Sequence, residues 1–380
     1  MKQGKTYEKW KNIILSILFL AVIAGFFVVS LGMKDRDFSE NENRKLAQMP
    51  ALSGKAVLRG DFSDGFEACV QDQFPGRDGF VSAKTRMELA AGKRDNGMVY
   101  FGNDGYLFSI EKIDEDQLKK NIGYINDFAA RFGDERKVTL MVVPTAANIL
   151  REKLPKNAVV PDENGAFDIA AKESQVELLD LRETLMEKKE EYIYYRTDHH
   201  WTTLGAFYGY CRWKGEEANR ENYAEVQVSD AFYGTNASKA MLSSVMPDRM
   251  IRFDRKGSHG ADMQIFEADG RMKRELNTLY DDAYLKKKDK YSYYLSGNNP
   301  VTVIHSKSGP EGKTLLVVKD SFAHCFLPFL TEDYETIVAV DLRYCRRSLD
   351  TLTETYEADE ILFLYNILNL SQDKNLVFLK

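Results

Sequence analysis

The sequence predicts an α/β fold with a mostly parallel sheet, carried behind an N-terminal transmembrane helix. Three observations predict it. Ile13 to Gly32 runs for about 20 residues without a charge, enough as a helix to cross the roughly 30 Å hydrocarbon layer. Three short apolar runs, "KVTLMVVPT" (Lys137 to Thr145), "TLLVVKDSF" (Thr314 to Phe322) and "EILFLYN" (Glu360 to Asn366), read as strands buried on both faces of a sheet. Helical segments alternate with such strands, which is the pattern of parallel sheets with helices as crossovers.

Taken in order, Lys2, Lys5, Lys9 and Lys11 stand before the apolar run against a single Glu8, whereas mixed signs follow it (Lys34, Asp35, Arg36, Asp37). The positive-inside bias then makes residues 1–12 a cytoplasmic tail, 13–32 a single-pass anchor in the cell membrane, and the rest extracytoplasmic. A cleaved signal peptide is the alternative, with Ser30-Leu31-Gly32 as a small-x-small site, although the apolar run exceeds the usual length for one. Residues 33–96 read as a juxtamembrane linker that leads into helix around Asp61 to Lys93. "GMVYFGNDGYLFSI" (Gly97 to Ile110) reads as two short strands, since Asn103, Asp104 and Gly105 tolerate the positive φ of a tight turn.

Residues 97–380 form the main domain. A helix at about Asp114 to Arg131 precedes the first buried strand, and "TIVAVDLR" (Thr336 to Arg343) adds another. Between about 214 and 313 the pattern breaks into polar sequence rich in Gly, Asp and Tyr, read as an insertion of strands and loops. Apolar residues at 44% suit a globular core, and a net charge of −6 gives no reason to expect nucleic acid as a partner. The four cysteines are widely spaced with no CxxC pair; Cys325 and Cys345 would either approach each other or stay buried as free thiols.

Chemistry concentrates in two places. In "LLVVKDSFAHCFLPF" the strand ends at Lys319-Asp320-Ser321, and Phe322 to Phe326 would open a helix, so Ser321 is presented at the C-terminal edge of the sheet near backbone N–H groups suited to an oxyanion. The plainer reading is a helix cap. A serine nucleophile needs a base, and two of the five histidines are adjacent in "YRTDHHWTTLGAFYGY" (Tyr195 to Tyr210). If Thr197 to Trp201 is extended, Asp198 and His200 share one side and His199 faces the other. The carboxylate would then fix the imidazole tautomer while the second ring nitrogen faces Ser321. His199 would pack or touch substrate, and Trp201 would pack beneath the pair. A metal site would need three or four converging ligands, and adjacent histidines on an extended chain diverge. A structural polar turn is the remaining alternative.

The motif Asp198-His199-His200-Trp201 resembles the signature of the DHHW protein family, and the whole pattern is similar to the alginate O-acetyltransferase type of SGNH-hydrolase-like enzymes, in which Asp-x-His precedes the nucleophilic serine. "FSENENRKLAQMP" (Phe38 to Pro50), "QFPGRDGF" (Gln73 to Phe80) and "FGNDGYLF" (Phe101 to Phe108) share in the resemblance. It implies an SGNH-like three-layer core with permuted motif order, Ser321 as nucleophile, His200 as base and Asp198 as its orienter. Lys319 stands where the usual pattern has glycine. Asn366, ending a strand, is the candidate oxyanion donor beside the Ser321 N–H, or else a turn residue. His199, Trp201, Lys319, Arg343 and Tyr233 (in "FYGTNASK") are candidate substrate contacts, Arg343 for an acidic sugar unless it faces solvent. The activity implied is O-acetylation of a cell-surface or secreted polysaccharide with no cofactor, the acyl group coming from a membrane-bound O-acyltransferase partner. A polysaccharide acetyl esterase shares the same triad, and a non-catalytic glycan-binding scaffold, favoured by Lys319, is the reading from another class.

Overall fold

The structure, a computed structural model, describes residues 2–39, 44–133, 135–242 and 244–380; residues 40–43, within the Phe38 to Pro50 stretch quoted above, lie outside it. The chain divides into two compact units, residues 1–91 with 241–243, and residues 92–240 with 244–380. In the first unit α1 (Lys2–Gly32) contains one stretch, Glu8–Gly32, long and apolar enough to cross a membrane. Helices α2 (Asp61–Gln73) and α3 (Arg77–Ala90) follow, parted by Pro75 and by Gly76 at φ 72°, a left-handed conformation that costs glycine little.

The second unit begins with the antiparallel pair β1 (Val99–Phe101) and β2 (Leu107–Ser109), turned at Asp104 and Gly105, both at positive φ. Helix α4 (Glu115–Ala130) is capped by the Asp114 side chain and buries Leu118, Ile122, Ile125 and Phe128, a spacing that keeps one face on the core. Then come β3 (Lys137–Val143), α5 (Glu163–Glu173), β4 (Glu177–Asp180), α6 (Thr203–Lys214), β5 (Tyr223–Phe232), α7 (Thr235–Ala240) and β6 (Asp248–Arg255). The unit closes with β7 (Ala261–Phe266), β8 (Met272–Leu276), β9 (Val301–Ser306), β10 (Thr314–Lys319), β11 (Thr336–Val340), α8 (Leu349–Thr355), β12 (Glu360–Asn366) and α9 (Ile367–Gln372).

Eight strands form one sheet in the order β8-β7-β9-β11-β10-β12-β3-β4. The five from β11 to β4 are parallel, while β9, β7 and β8 extend the sheet antiparallel. Those three come from the segment read as an insertion, so it is woven into the sheet; β8 is polar because it lies at the edge, where Lys273 and Arg274 are exposed. Side chains alternate between two cores. Leu315, Val317, Leu362 and Leu364 face α6 residues such as Phe207, whereas Leu316, Val318, Ile361 and Phe363 face Ile122, Phe167 and Leu352 of α4, α5 and α8. Cys69, Cys211, Cys325 and Cys345 are buried free thiols, so Cys325 and Cys345 are not joined.

Candidate active site

Ser321 stands at the C-terminal end of β10, in the middle of the parallel strands, and is 9% exposed. The α-helix expected after it is a 3₁₀ turn, Ser321–Cys325, followed by a second one at Leu327–Glu332. Pro328 explains the difference, because it has no N–H to give to the His324 carbonyl. The Asp320 carboxylate fixes this turn. It accepts N–H bonds from Phe322 at 2.8 Å and from Asn366 at 2.8 Å, and the Asn369 amide at 2.7 Å, tying the ends of β10 and β12 together.

The segment bearing the histidines is a chain of bends, closed by a bridge between Tyr194 and Trp201, instead of an extended strand. Asp248 imposes that shape: its buried carboxylate accepts the N–H of Arg196 at 3.0 Å and of Thr197 at 2.7 Å, the Thr197 hydroxyl at 2.6 Å, and the Tyr192 hydroxyl. Asp198 and His200 meet all the same. His200 Nδ1–H donates to Asp198 Oδ1 at 2.5 Å, which leaves Nε2 to accept the Ser321 hydroxyl at 2.7 Å. Burial alone would raise the Asp198 carboxyl, but His199 and His200 beside it, with the N–H of Thr235 on Oδ2 at 2.7 Å, hold it well below the usual carboxylate range.

The two histidine rings do not diverge. Their centroids are 3.9 Å apart, and ligand atoms of Asp198, His199 and His200 all lie within 4.8 Å of one another. Both nitrogens of His200 and both oxygens of Asp198 are engaged by the contacts just described, and His199 Nδ1 lies 3.8 Å from Asp198 Oδ1. Burial, then the neighbouring His200, push the His199 pKa down to about 3, so its ring is neutral near pH 7. On the other face of His200 the Tyr291 ring stacks at 3.9 Å and 11°, and its hydroxyl donates to the Ser321 carbonyl at 3.2 Å.

Two candidate substrate contacts are corrected by burial. Trp201 is fully buried and donates its indole N–H to the Phe322 carbonyl at 2.8 Å, so it supports the turn from beneath. Lys319 is 2% exposed and points into the protein, donating to His324 Nε2 at 2.8 Å with Asp341 at 3.6 Å. Its side chain alternates away from the site, which is how strand geometry accommodates a lysine in the usual glycine position. Arg343 Nε and Nη2 both bind the Asp341 carboxylate, at 2.9 and 2.6 Å. Tyr233 is exposed, while the following Gly234 and Thr235 press against Asp198. Asn366 Nδ2 donates one hydrogen to the Val143 carbonyl at 2.9 Å, and its Oδ1 caps α9 by accepting the Leu368 N–H.

Asn366, His199 and Phe322 form one wall of a cleft of about 190 Å³, bounded further by β2, α7 and the residues after β3. The sequence reading missed Asp248, Gly234, Tyr291 and Asn369. Of these only Gly234 carried a signal, lying within the "FYGTNASK" loop singled out from the sequence.

Comparison with known proteins follows the same outline. Among solved structures, a DHHW family protein from Eubacterium siraeum matches with TM-score 0.65 at 23% identity, over 76% of this chain and 96% of that one. Bacillus cereus PatB1 with a sulfonyl adduct matches with TM-score 0.62 at 20% identity, over 74% of this chain and 100% of its own. The O-acetyltransferase domain of Pseudomonas putida AlgJ matches with TM-score 0.42 at 15% identity, over 72% and 92%. Among curated proteins none matches. The family model described as DHHW protein matches residues 42–125 and 97–340, a span that takes in Asp198-His199-His200-Trp201 and the Ser321 turn together, and the chain belongs to that family.

Proposed function

We propose that this protein is a membrane-anchored, extracytoplasmic O-acyltransferase of SGNH-like type that moves an acetyl group onto a polysaccharide hydroxyl through an acyl-enzyme on Ser321. The observation that carries the reading is the relay Asp198–His200–Ser321, with contacts of 2.5 and 2.7 Å in a buried setting. In the first step His200 Nε2 takes the Ser321 proton as Oγ bonds to the donor carbonyl carbon. The tetrahedral intermediate collapses, and the leaving group departs with the proton from His200. In the second step a sugar hydroxyl gives its proton to Nε2 and bonds to the acyl carbon, and Ser321 Oγ leaves and takes the proton back. Asp198 steadies the imidazolium in both steps. The second Nδ2 hydrogen of Asn366 and the Ser321 N–H are the proposed oxyanion donors.

The stretch Glu8–Gly32 supports the anchor, and the lysines before it support a cytoplasmic N-terminus. Acetyl donors made in the cytoplasm would then need a membrane-bound O-acyltransferase to carry the group across. An activated serine also reacts with sulfonyl fluorides, and PatB1, which has this fold, is known with a sulfonyl adduct.

The test is to treat the protein with an activated acetyl ester or a sulfonyl fluoride and locate the added mass by peptide mass spectrometry. The adduct is expected on Ser321 and absent from the His200→Ala variant. A folded protein that takes up no label at Ser321 would sink the reading. Acetyl content of the surface polymer should fall in cells lacking the protein; a rise would mark an esterase instead.

A further inference from the structure

Resting on the acyl-transfer reading, we propose that the cleft beside Ser321 is the acceptor subsite and that it takes a neutral saccharide, not a uronic acid. The cleft reaches from Phe322, next to the nucleophile, and His199, next to the base, outward to β2 and α7. At its inner end the cleft is lined by His199, whose ring lies 3.9 Å from that of His200, the base that would take the acceptor's proton. Much of its polar lining is amide and hydroxyl, from Asn236, Asn366, Asn369, Gln372, Ser109 and Thr145. Such groups suit sugar hydroxyls, which both donate and accept.

The charges are placed against an anion. Lys239 supplies the one ammonium of the described lining, and it is already engaged, donating to Glu111 at 3.0 Å and to Ser109 at 3.0 Å. Glu163, 1% exposed, is a buried carboxyl that burial favours in its neutral form and that accepts the N–H and the hydroxyl of Thr145, so it offers an anion no partner. His199 is neutral, as described above. Lys319 and Arg343, the cations at the neighbouring strand ends, are both held by Asp341. A uronate entering the cleft would therefore give up water without finding a free cation among the described lining residues, and would approach the Glu111 carboxylate. A neutral sugar meets neither cost.

The experiment uses the full-length protein in detergent, acetylated at Ser321 by p-nitrophenyl acetate, and reads the rate at which the acyl-enzyme turns over. Acceptors of equal length are compared: cellotetraose and chitotetraose as neutral probes, tetragalacturonate as the acidic one. At least one neutral probe should speed turnover by about tenfold over water, with acetyl found on the sugar, while the uronate has little effect. Equal or better use of tetragalacturonate overturns the inference, as does no acceleration by any sugar in a protein that acylates normally. Failure of Ser321 to acylate is a different result: it rejects the acyl-transfer reading, and the inference goes with it. A second variant tests the charge argument directly. Glu111→Gln frees Lys239, so use of tetragalacturonate should rise several-fold; an unchanged rate overturns the role given to that pair.

Discussion

At the residue scale, Asp198 is a buried acid kept ionised by its neighbours, and its work is to hold one hydrogen of His200. Asp198→Asn keeps the size of the side chain but offers an amide hydrogen to Nδ1, which drives the proton to Nε2 and faces Ser321 with a donor. Acylation of Ser321 by an activated ester should fall by about 10³–10⁴-fold, measured as the burst of released alcohol, with the unfolding midpoint changed far less. Glu163 behaves in the opposite way, since burial raises its carboxyl above the usual range despite the hydrogen bonds from Thr145. Between the unfolded value of about 4.3 and the raised folded one, the native chain holds a proton that the unfolded chain has released. Stability is therefore greatest below that window and declines as pH climbs through it. Glu163→Gln should flatten this part of the curve, seen as urea midpoints that no longer drop as pH climbs above the unfolded value. Asp198, His200 and Ser321 were legible as partners because an acid two residues from an imidazole can orient it toward a strand-end hydroxyl, with their order supplied by the family resemblance, although the extended strand expected to align them is a chain of bends. Trp201 was legible as the residue packed beneath the pair, though not as one closed to substrate; Lys319 was not legible at all, because no residue type announces which side of a turn it will occupy, and a long side chain near a motif looks like a substrate contact until its burial is seen.

At the element scale, the buried strands β3, β10 and β12 were readable from continuous apolar runs, and α4 from its periodicity and its Asp114 cap. The loop from Tyr195 to Trp201 was not, because its shape is set by Asp248, some fifty residues away in sequence, which takes the place of a strand partner for two backbone N–H groups. Distant side chains of that kind leave no local trace. The same holds for the approach of the β5–α7 connection to the site. A Cβ on Gly234 would fall inside contact distance of Asp198 Cβ, Cγ and Oδ2. Gly234→Ala should push Asp198 off the imidazole, lowering Ser321 acylation by about 10²-fold, since small misplacements have that effect on rate. The overpacking should also cost roughly 1–3 kcal/mol of stability by denaturant titration. A mutant with full activity would show that the connection can move without taking Asp198 with it.

At the scale of the whole molecule, the proposed function gives the helix Glu8–Gly32, long and apolar enough to cross a membrane, a different solvent from the unit that carries Ser321. Leu20→Arg near the middle of that helix should weaken insertion by about 2.5–3.5 kcal/mol, read as chain lost from membranes washed with alkaline carbonate, while Ser321 labelling of the released protein is unchanged. The sequence announced the long apolar helix by composition alone, whereas the antiparallel extension β9-β7-β8 was hidden by the polar residues of an edge. The buried thiols of the unit that carries Ser321 have a practical consequence. Burial raises the thiol pKa of each, that of Cys325 to about 12, so Cys211, Cys325 and Cys345 are shielded from alkylating reagents in the native state. With no crosslink to lose, the unit should keep its unfolding midpoint in strong reductant and should mature in a reducing compartment. Iodoacetamide then becomes a clock for opening of the chain: each alkylated cysteine records one excursion from the folded state, and marking of Cys325 reports opening of the turn that carries Ser321.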